Sequence, residues 1–244
     1  MSKTDKRIPV FFDFGGTIAD TVGIVQAVFK QSVNKEMSRE EVIQMYKDAS
    51  KKGISMKLFF KYPVNPIKLL SKRKKMRSLQ SELFTSKIKL QEGITELLEK
   101  IQKIEGLQMI LVTQNPLFEN EETSAEILEK LFGDKVPFEK VLAGEDKMTV
   151  INENFDSDIL LSGILIGDLP NDIQAADFLN IPCIGVTWGY SSENELDTPY
   201  IADTFDDLYE LIQDHVDDIK EDRARLHKGD DEIEFTEDVE FEDY

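Results

Sequence analysis

Cysteine, histidine and long apolar runs are scarce in this chain, and each scarcity removes a class of chemistry. Cys183 is the only cysteine, which excludes an intrachain disulfide and any multi-cysteine metal site. Within "IPCIGV" it reads as an inert residue of a buried strand rather than a reactive thiol. The two histidines, His215 and His227, both fall in the polar C-terminal region. That removes most Ser-His-Asp, Cys-His and HExxH mechanisms. No stretch approaches the roughly 18 consecutive apolar residues of a membrane-spanning helix. The start offers only the run "IPVFF", shorter than a signal peptide requires, so the expectation is a cytoplasmic protein. An enzyme of this composition has carboxylates, hydroxyls, lysines and a hard metal ion to work with.

The 244 residues, 41% of them hydrophobic, suffice for one sizeable core plus a small accessory domain. The net charge of −19 is unevenly spread. Residues 47–89 hold 13 Lys or Arg against Asp48 and Glu82, whereas residues 214–244 hold 14 acids against four Lys or Arg. So acidic a chain argues against nucleic acid as a partner, and "KRKK" (72–75) reads as a solvated face. The acidic C-terminal stretch has too little apolar surface to offset its ordering entropy and reads as disordered. Its charge suggests an intramolecular contact with the basic segment.

Residues 8–13, 107–113, 162–168, "IPCIGVTW" and "YIADTF" read as buried strands, with a further short strand at 138–143. Between them fall helical patterns at 21–34, from a Ser38/Glu41 capping box to about Lys89 with breaks near Gly53, Pro63 and Pro66, at 93–106, at 122–132, after Pro170 and in "DDLYELIQDHV". Apolar strands alternating with helices predict an α/β protein with a parallel sheet covered on both faces. Ligands bind beyond the carboxyl ends of such strands. Three of those ends carry Asp13, Thr113 and Asp168.

"VFFDFGGT", "MILVT" and "GDLPNDIQAA", in this order and followed by "IGVTWGY", resemble the motifs of the haloacid dehalogenase-like superfamily. The likeness spans roughly residues 8–212 and is greatest to helical-cap members of the phosphoglycolate phosphatase and β-phosphoglucomutase type. The resemblance implies a Rossmann-like core (1–20 and 90–213), an all-helical cap (21–89) and the acidic tail (214–244). It implies a hydrolase acting on a phosphorylated small molecule with Mg2+ as cofactor. Asp13 is then the nucleophile that forms an aspartyl-phosphate. Asp13, Asp168, Asp172 and the Gly15 carbonyl would hold the metal. Gly16 and Thr17 would turn backbone N–H groups onto the phosphate. Thr113 would donate its hydroxyl, Asn115 would line the substrate site, and Gly53 in the cap would face it. The charge-neutralising lysine is Lys147, with Lys140 as the substitute candidate. Trp188 and Tyr190 read as packing residues.

Gly15 departs from the pattern. Phosphatases of this family carry a second aspartate there, which protonates the leaving group and then activates water. Its loss predicts an attenuated enzyme. Two alternatives stand beside that reading. One is another hydrolase on the same scaffold, either of phosphonatase type with Lys51, Lys52 or Lys57 as a Schiff-base lysine or of dehalogenase type. The other is a non-catalytic phosphate-binding regulatory protein.

Overall fold

The computed structural model describes residues 7–52, 62 and 66–231. Gly53, Lys57, Pro63 and the end of the acidic stretch, 232–244, lie outside the described residues.

The chain opens with β1 (Ile8–Asp13), which becomes an inner strand of a six-stranded sheet. The other members are β4 (Leu107–Thr113), β5 (Lys140–Ala143), β6 (Ile164–Gly167), β7 (Cys183–Val186) and β8 (Tyr200–Ala202). Their order is β5-β4-β1-β6-β7-β8, and every pairing is parallel. The chain builds outward from β1 to β5 and then returns to lay β6 on the other side. The order therefore reverses between β1 and β6, and ligands favour the crevice beyond such a switch point.

The apolar runs are continuous because both faces of the sheet are covered. Val10 and Phe12 of β1, Met109 and Leu111 of β4, and Ile164 and Ile166 of β6 face one layer of helices. That layer contains α4 (Ile94–Ile101), α5 (Glu121–Phe132) and α9 (Phe205–Asp231). Phe11, Ile110, Val112, Leu165 and Cys183 face the other layer. It is formed by α6 (Lys147–Asn152), α7 (Ser157–Leu160) and α8 (Pro170–Leu179). The result is a Rossmann-like α/β core. No helix among the described residues is long and apolar enough to cross a membrane.

A helical insertion leaves this core just after β1. It contains α1 (Val22–Val33), α2 (Arg39–Lys52) and α3 (Pro66–Lys87). A short antiparallel ribbon joins its two connections: β2 (Ala19–Asp20) pairs with β3 (Lys89–Leu90), Ala19 opposite Leu90. The Ser38/Glu41 capping box forms at the start of α2, with Glu41 N–H donating to Ser38 Oγ at 3.1 Å and Ser38 N–H to Glu41 Oε2 at 2.8 Å. Val22, Phe29, Val33, Met37, Val42 and Met45 make a small apolar cluster of their own, and Tyr190 of the core closes it.

Two expectations change. The helix starting at residue 94 ends at Ile101, and residues 102–106 turn into β4 with Gly106 at φ 85°. The acidic segment is helical to Asp231, not disordered from residue 214. Leu208, Ile212, Val216 and Ile219 form one apolar stripe that carries α9 along the core. His215 Nε2 donates to the Ser162 carbonyl at 2.9 Å, and Arg223 Nη2 donates to Ser162 Oγ at 3.1 Å. Ser162 lies at the amino end of β6, so this part of α9 packs at the end of the sheet opposite Asp13.

Truncating the chain after Gln213 removes Val216 and Ile219 from the core. Burial of two such side chains is worth about 3 kcal/mol, so the melting temperature should fall by several degrees. An unchanged melting temperature in a thermal scan would contradict the packing of α9.

Candidate active site

Parallel pairing sets Asp13 at the carboxyl end of β1, beside Val112 of β4, and Phe12 beside Ile166 of β6. The loops after β1, β4 and β6 are thereby forced together. Asp13, Asp168 and Asp172 converge there, each offering an oxygen within 4.8 Å of the others, and all three are buried. Asp168 follows β6 directly, and Asp172 sits in the first turn of α8. The short turn from β6 into α8 keeps both carboxylates in one crevice.

Buried carboxylates are costly unless paired. Lys147 supplies the charge, pairing with Asp13 Oδ1 and with Asp172 Oδ1 while only 4% exposed. Its position is set by α6, whose N-cap Asp146 accepts from the N–H groups of Met148 and Thr149. Asp168 is held differently: Oδ1 accepts from Thr17 Oγ1 at 3.1 Å and Oδ2 from the Tyr190 N–H at 2.7 Å. Asp172 Oδ2 accepts from the Leu169 N–H at 3.0 Å.

One ammonium against three carboxylates leaves the site electron-rich. Burial, and then repulsion from Asp172, push Asp13 from 3.8 up to about 6 in spite of Lys147. Burial and the charges of Asp13 and Asp172 drive Asp168 well above its usual value. Burial disfavours the Lys147 ammonium, but Asp13 and Asp172 more than offset this and raise its pKa. The donor set is all oxygen and short of positive charge, which suits a hard divalent cation. Three buried aspartates thus form a cluster that can hold a metal ion.

Glycines make the close approach possible. Gly16 adopts φ 102°, and a side chain there would collide with the Asp168 carboxylate. Gly167 and Gly189 lie equally close to Asp172 and Asp168. Gly15 is different, because a Cβ there would meet only Thr21, at an ordinary 3.7 Å. A β-carbon fits at residue 15, so contact at that atom does not force glycine here.

The remaining expected residues divide. Thr113 is buried at the end of β4, with Oγ1 accepting from the Asn115 N–H at 3.2 Å. Asn115 is occupied locally, since its Oδ1 caps the turn at 116–118 by accepting from the Leu117 N–H at 3.1 Å. The Gly16 N–H is not offered to a ligand: it donates to the Ala19 carbonyl at 2.8 Å inside its own loop. The Thr17 N–H makes no hydrogen bond among the described residues. Lys140 is not in the crevice; it donates to Asn154 Oδ1 at 2.7 Å and lies over the Phe155 ring. Lys51 is exposed near the end of α2.

Trp188 and Tyr190 do more than pack. Trp188 stacks edge-on against Phe205 and donates Nε1–H to the Thr17 carbonyl at 3.1 Å. Tyr190 grips Asp168 by its backbone and Thr21 by its hydroxyl. Gln91, just after the ribbon, donates to the Gly16 carbonyl at 2.6 Å. Gln114 bridges the rim, accepting from Asn171 and donating to the Glu145 carbonyl. Nothing in the sequence marks these glutamines, because their partners lie far away along the chain.

Lys147→Met tests the charge balance. A buried carboxylate whose pKa is raised is protonated in the folded state at pH values where the unfolded chain has already ionised. Stability therefore falls as pH rises from about 4 to about 6. Removing Lys147 extends that loss to higher pH. The metal-free variant should lose about 3–5 kcal/mol at pH 7.5 and visibly less at pH 5, read as melting temperatures. An equal loss at both pH values would contradict this balance.

Comparison with known proteins agrees with this geometry. A family model described as haloacid dehalogenase-like hydrolase matches residues 10–186. A search of curated protein sequences finds no match. Among solved structures, a haloacid dehalogenase-like family hydrolase from Streptococcus pneumoniae is similar with a TM-score of 0.67 and 19% identity, over 85% of this chain and 99% of that one. A predicted phosphoglycolate phosphatase from Haemophilus somnus gives 0.66 and 17%, over 86% and 100%. CbbY from Rhodobacter sphaeroides, solved in complex with phosphate, gives 0.60 and 16%, over 82% and 95%. Identities this low establish a shared fold, while the family match covers most of the chain. The chain belongs to the haloacid dehalogenase-like hydrolases.

Proposed function

We propose that the protein is a divalent-metal-dependent phosphohydrolase that acts on a phosphorylated small molecule through Asp13. The observation that carries this reading is the meeting of Asp13, Asp168 and Asp172 around Lys147 at the switch point of the sheet. A dehalogenase needs no cluster of hard oxygen ligands, whereas phosphate chemistry needs charge neutralisation. Among the described residues, Lys147 is the lysine that pairs with these carboxylates. A similar fold, CbbY, is known with phosphate bound.

In this reading Asp13, Asp168, Asp172 and the Gly15 carbonyl would hold Mg2+, which would supply the positive charge that lets an anionic nucleophile approach a phosphate. Lys147 pairs with Asp13 through Oδ1, and the Asp13 carboxylate attacks phosphorus. An aspartyl-phosphate forms, and water then hydrolyses it. Thr113 and the Thr17 N–H bind phosphate oxygens, and Lys147 balances charge as the intermediate forms. Residues 21–89 act as the cap, and their basic surface suits an anionic substrate.

Gly15 sets the rate. General acid–base catalysis is worth about 10²- to 10⁴-fold, or roughly 3–5 kcal/mol of barrier. The protein should be slow on alkyl esters and faster on leaving groups that need little protonation. Because residue 15 has room, Gly15→Asp should raise turnover by at least about tenfold. Asp13→Asn should abolish it. A phosphomonoester panel with and without Mg2+, run on the native chain and both variants, tests the reading. Metal-independent turnover, or full activity in Asp13→Asn, would contradict it.

A further inference from the structure

The place left vacant by Gly15 faces a hydroxyl. Thr21 Oγ1 lies 3.7 Å from where a Cβ at residue 15 would stand. That oxygen also contacts two phenols, Tyr190 Oη at 2.8 Å and Tyr46 Oη at 3.0 Å. The Tyr46 and Tyr190 rings stack with centroids 5.1 Å apart. Tyr190 belongs to the core, and its N–H binds Asp168. Tyr46 arrives on α2 of the insertion, where the adjacent Lys47 is tied to Glu195 of the core at 2.6 Å. The trio is therefore complete only with the insertion seated on the core.

A count of protons shows what the trio can do. Three hydroxyls bring three protons, and their two mutual contacts consume two. A threonine oxygen accepts two hydrogen bonds while donating a third. Tyr190 Oη accepts the Thr21 N–H at 3.0 Å and can still donate its own proton to Thr21 Oγ1. When both phenols donate to Thr21 Oγ1, the Thr21 proton is left for an acceptor outside the trio, and the place of a Cβ at residue 15 is 3.7 Å from that oxygen. Burial pushes the Tyr46 phenol up to about 12 and raises Tyr190 as well, so both are protonated donors at neutral pH.

We propose that Thr21, supplied by Tyr46 and oriented by Tyr190, is the substitute proton donor for the leaving group in this protein. The proposal rests on the phosphohydrolase reading above. As the bond from Asp13 to phosphorus forms and the bond from phosphorus to the leaving oxygen breaks, that oxygen takes the Thr21 Oγ1 proton. Thr21 takes the proton of Tyr46, leaving a phenolate. When water attacks the aspartyl-phosphate and the Asp13–phosphorus bond breaks, the water proton returns through Thr21 to Tyr46. A buried phenol is a weaker acid than a carboxyl group, so the gain falls below the usual hundredfold or more of acid–base catalysis, at about tenfold. Thr21 is the catalytic residue, and Tyr46 and Tyr190 act through it.

Leaving-group dependence separates proton donation from packing. The Mg2+-dependent turnover of glycerol phosphate, whose alkoxide must be protonated, is compared with that of p-nitrophenyl phosphate, whose phenolate leaves unaided. Tyr46→Phe keeps the ring and its stacking. It should lower the ratio of the two rates about tenfold. In a Gly15→Asp background, where a carboxyl supplies the proton, the same substitution should leave the ratio within about twofold. Equal losses on both esters would overturn the relay and leave the phosphohydrolase reading standing. Absence of turnover of either ester by both the native chain and Gly15→Asp would overturn that reading, and the relay with it.

Discussion

Three carboxylates buried against one ammonium form the constraint on which the rest of the structure depends. Asp13, Asp168 and Asp172 would be intolerable in a dry crevice without compensation. Much of the surrounding architecture supplies it: Lys147 at the head of α6, the Thr17 hydroxyl, the Tyr190 N–H and the Leu169 N–H. Gly16, Gly167 and Gly189 let the backbone come close enough to do so. Raised Asp13 and Asp168 pKa values show that the compensation is incomplete. A protein that retains such a deficit of positive charge is prepared to receive a cation, and groups so perturbed in a cleft mark functional sites.

The second constraint is mechanical. The insertion is joined to the core by a ribbon of two residues per strand, yet it contributes Tyr46 to a hydroxyl cluster and Lys47 to an ion pair at the rim. α1 shares its apolar residues between both bodies: Ile24 and Val28 join the main core, while Val22 and Phe29 join the smaller cluster. Seating the insertion therefore shapes the crevice beside Gly15. Chemistry and closure are coupled through side chains that no short motif contains.

The strands were legible because both faces of the sheet are buried, so "PVFF", "MILV" and "ILIG" are unbroken apolar runs. Asp13, Thr113 and Asp168 were legible because each ends or directly follows such a run. Lys147 was legible only by its place within the resemblance, and the structure separates it from Lys140, which serves Asn154 instead. Other features depend on contacts between distant segments and were hidden. The acidic stretch read as too polar to fold, but Val216 and Ile219 fall in phase with Leu208 and Ile212 and extend α9. The Gly16 N–H looked available until the loop closed on Ala19. Thr21, Tyr46 and Tyr190 carry no shared pattern, because three separate segments must dock before their hydroxyls meet.

Direct metal binding tests the central claim most simply. Titration with Mn2+, followed by calorimetry and by the loss of the free-ion paramagnetic resonance signal, should show one site per chain in the native protein. That site should be lost in Asp168→Asn, which removes a charge from the cluster. A native chain that binds no Mn2+, or an Asp168→Asn variant that binds it as tightly, would contradict the account.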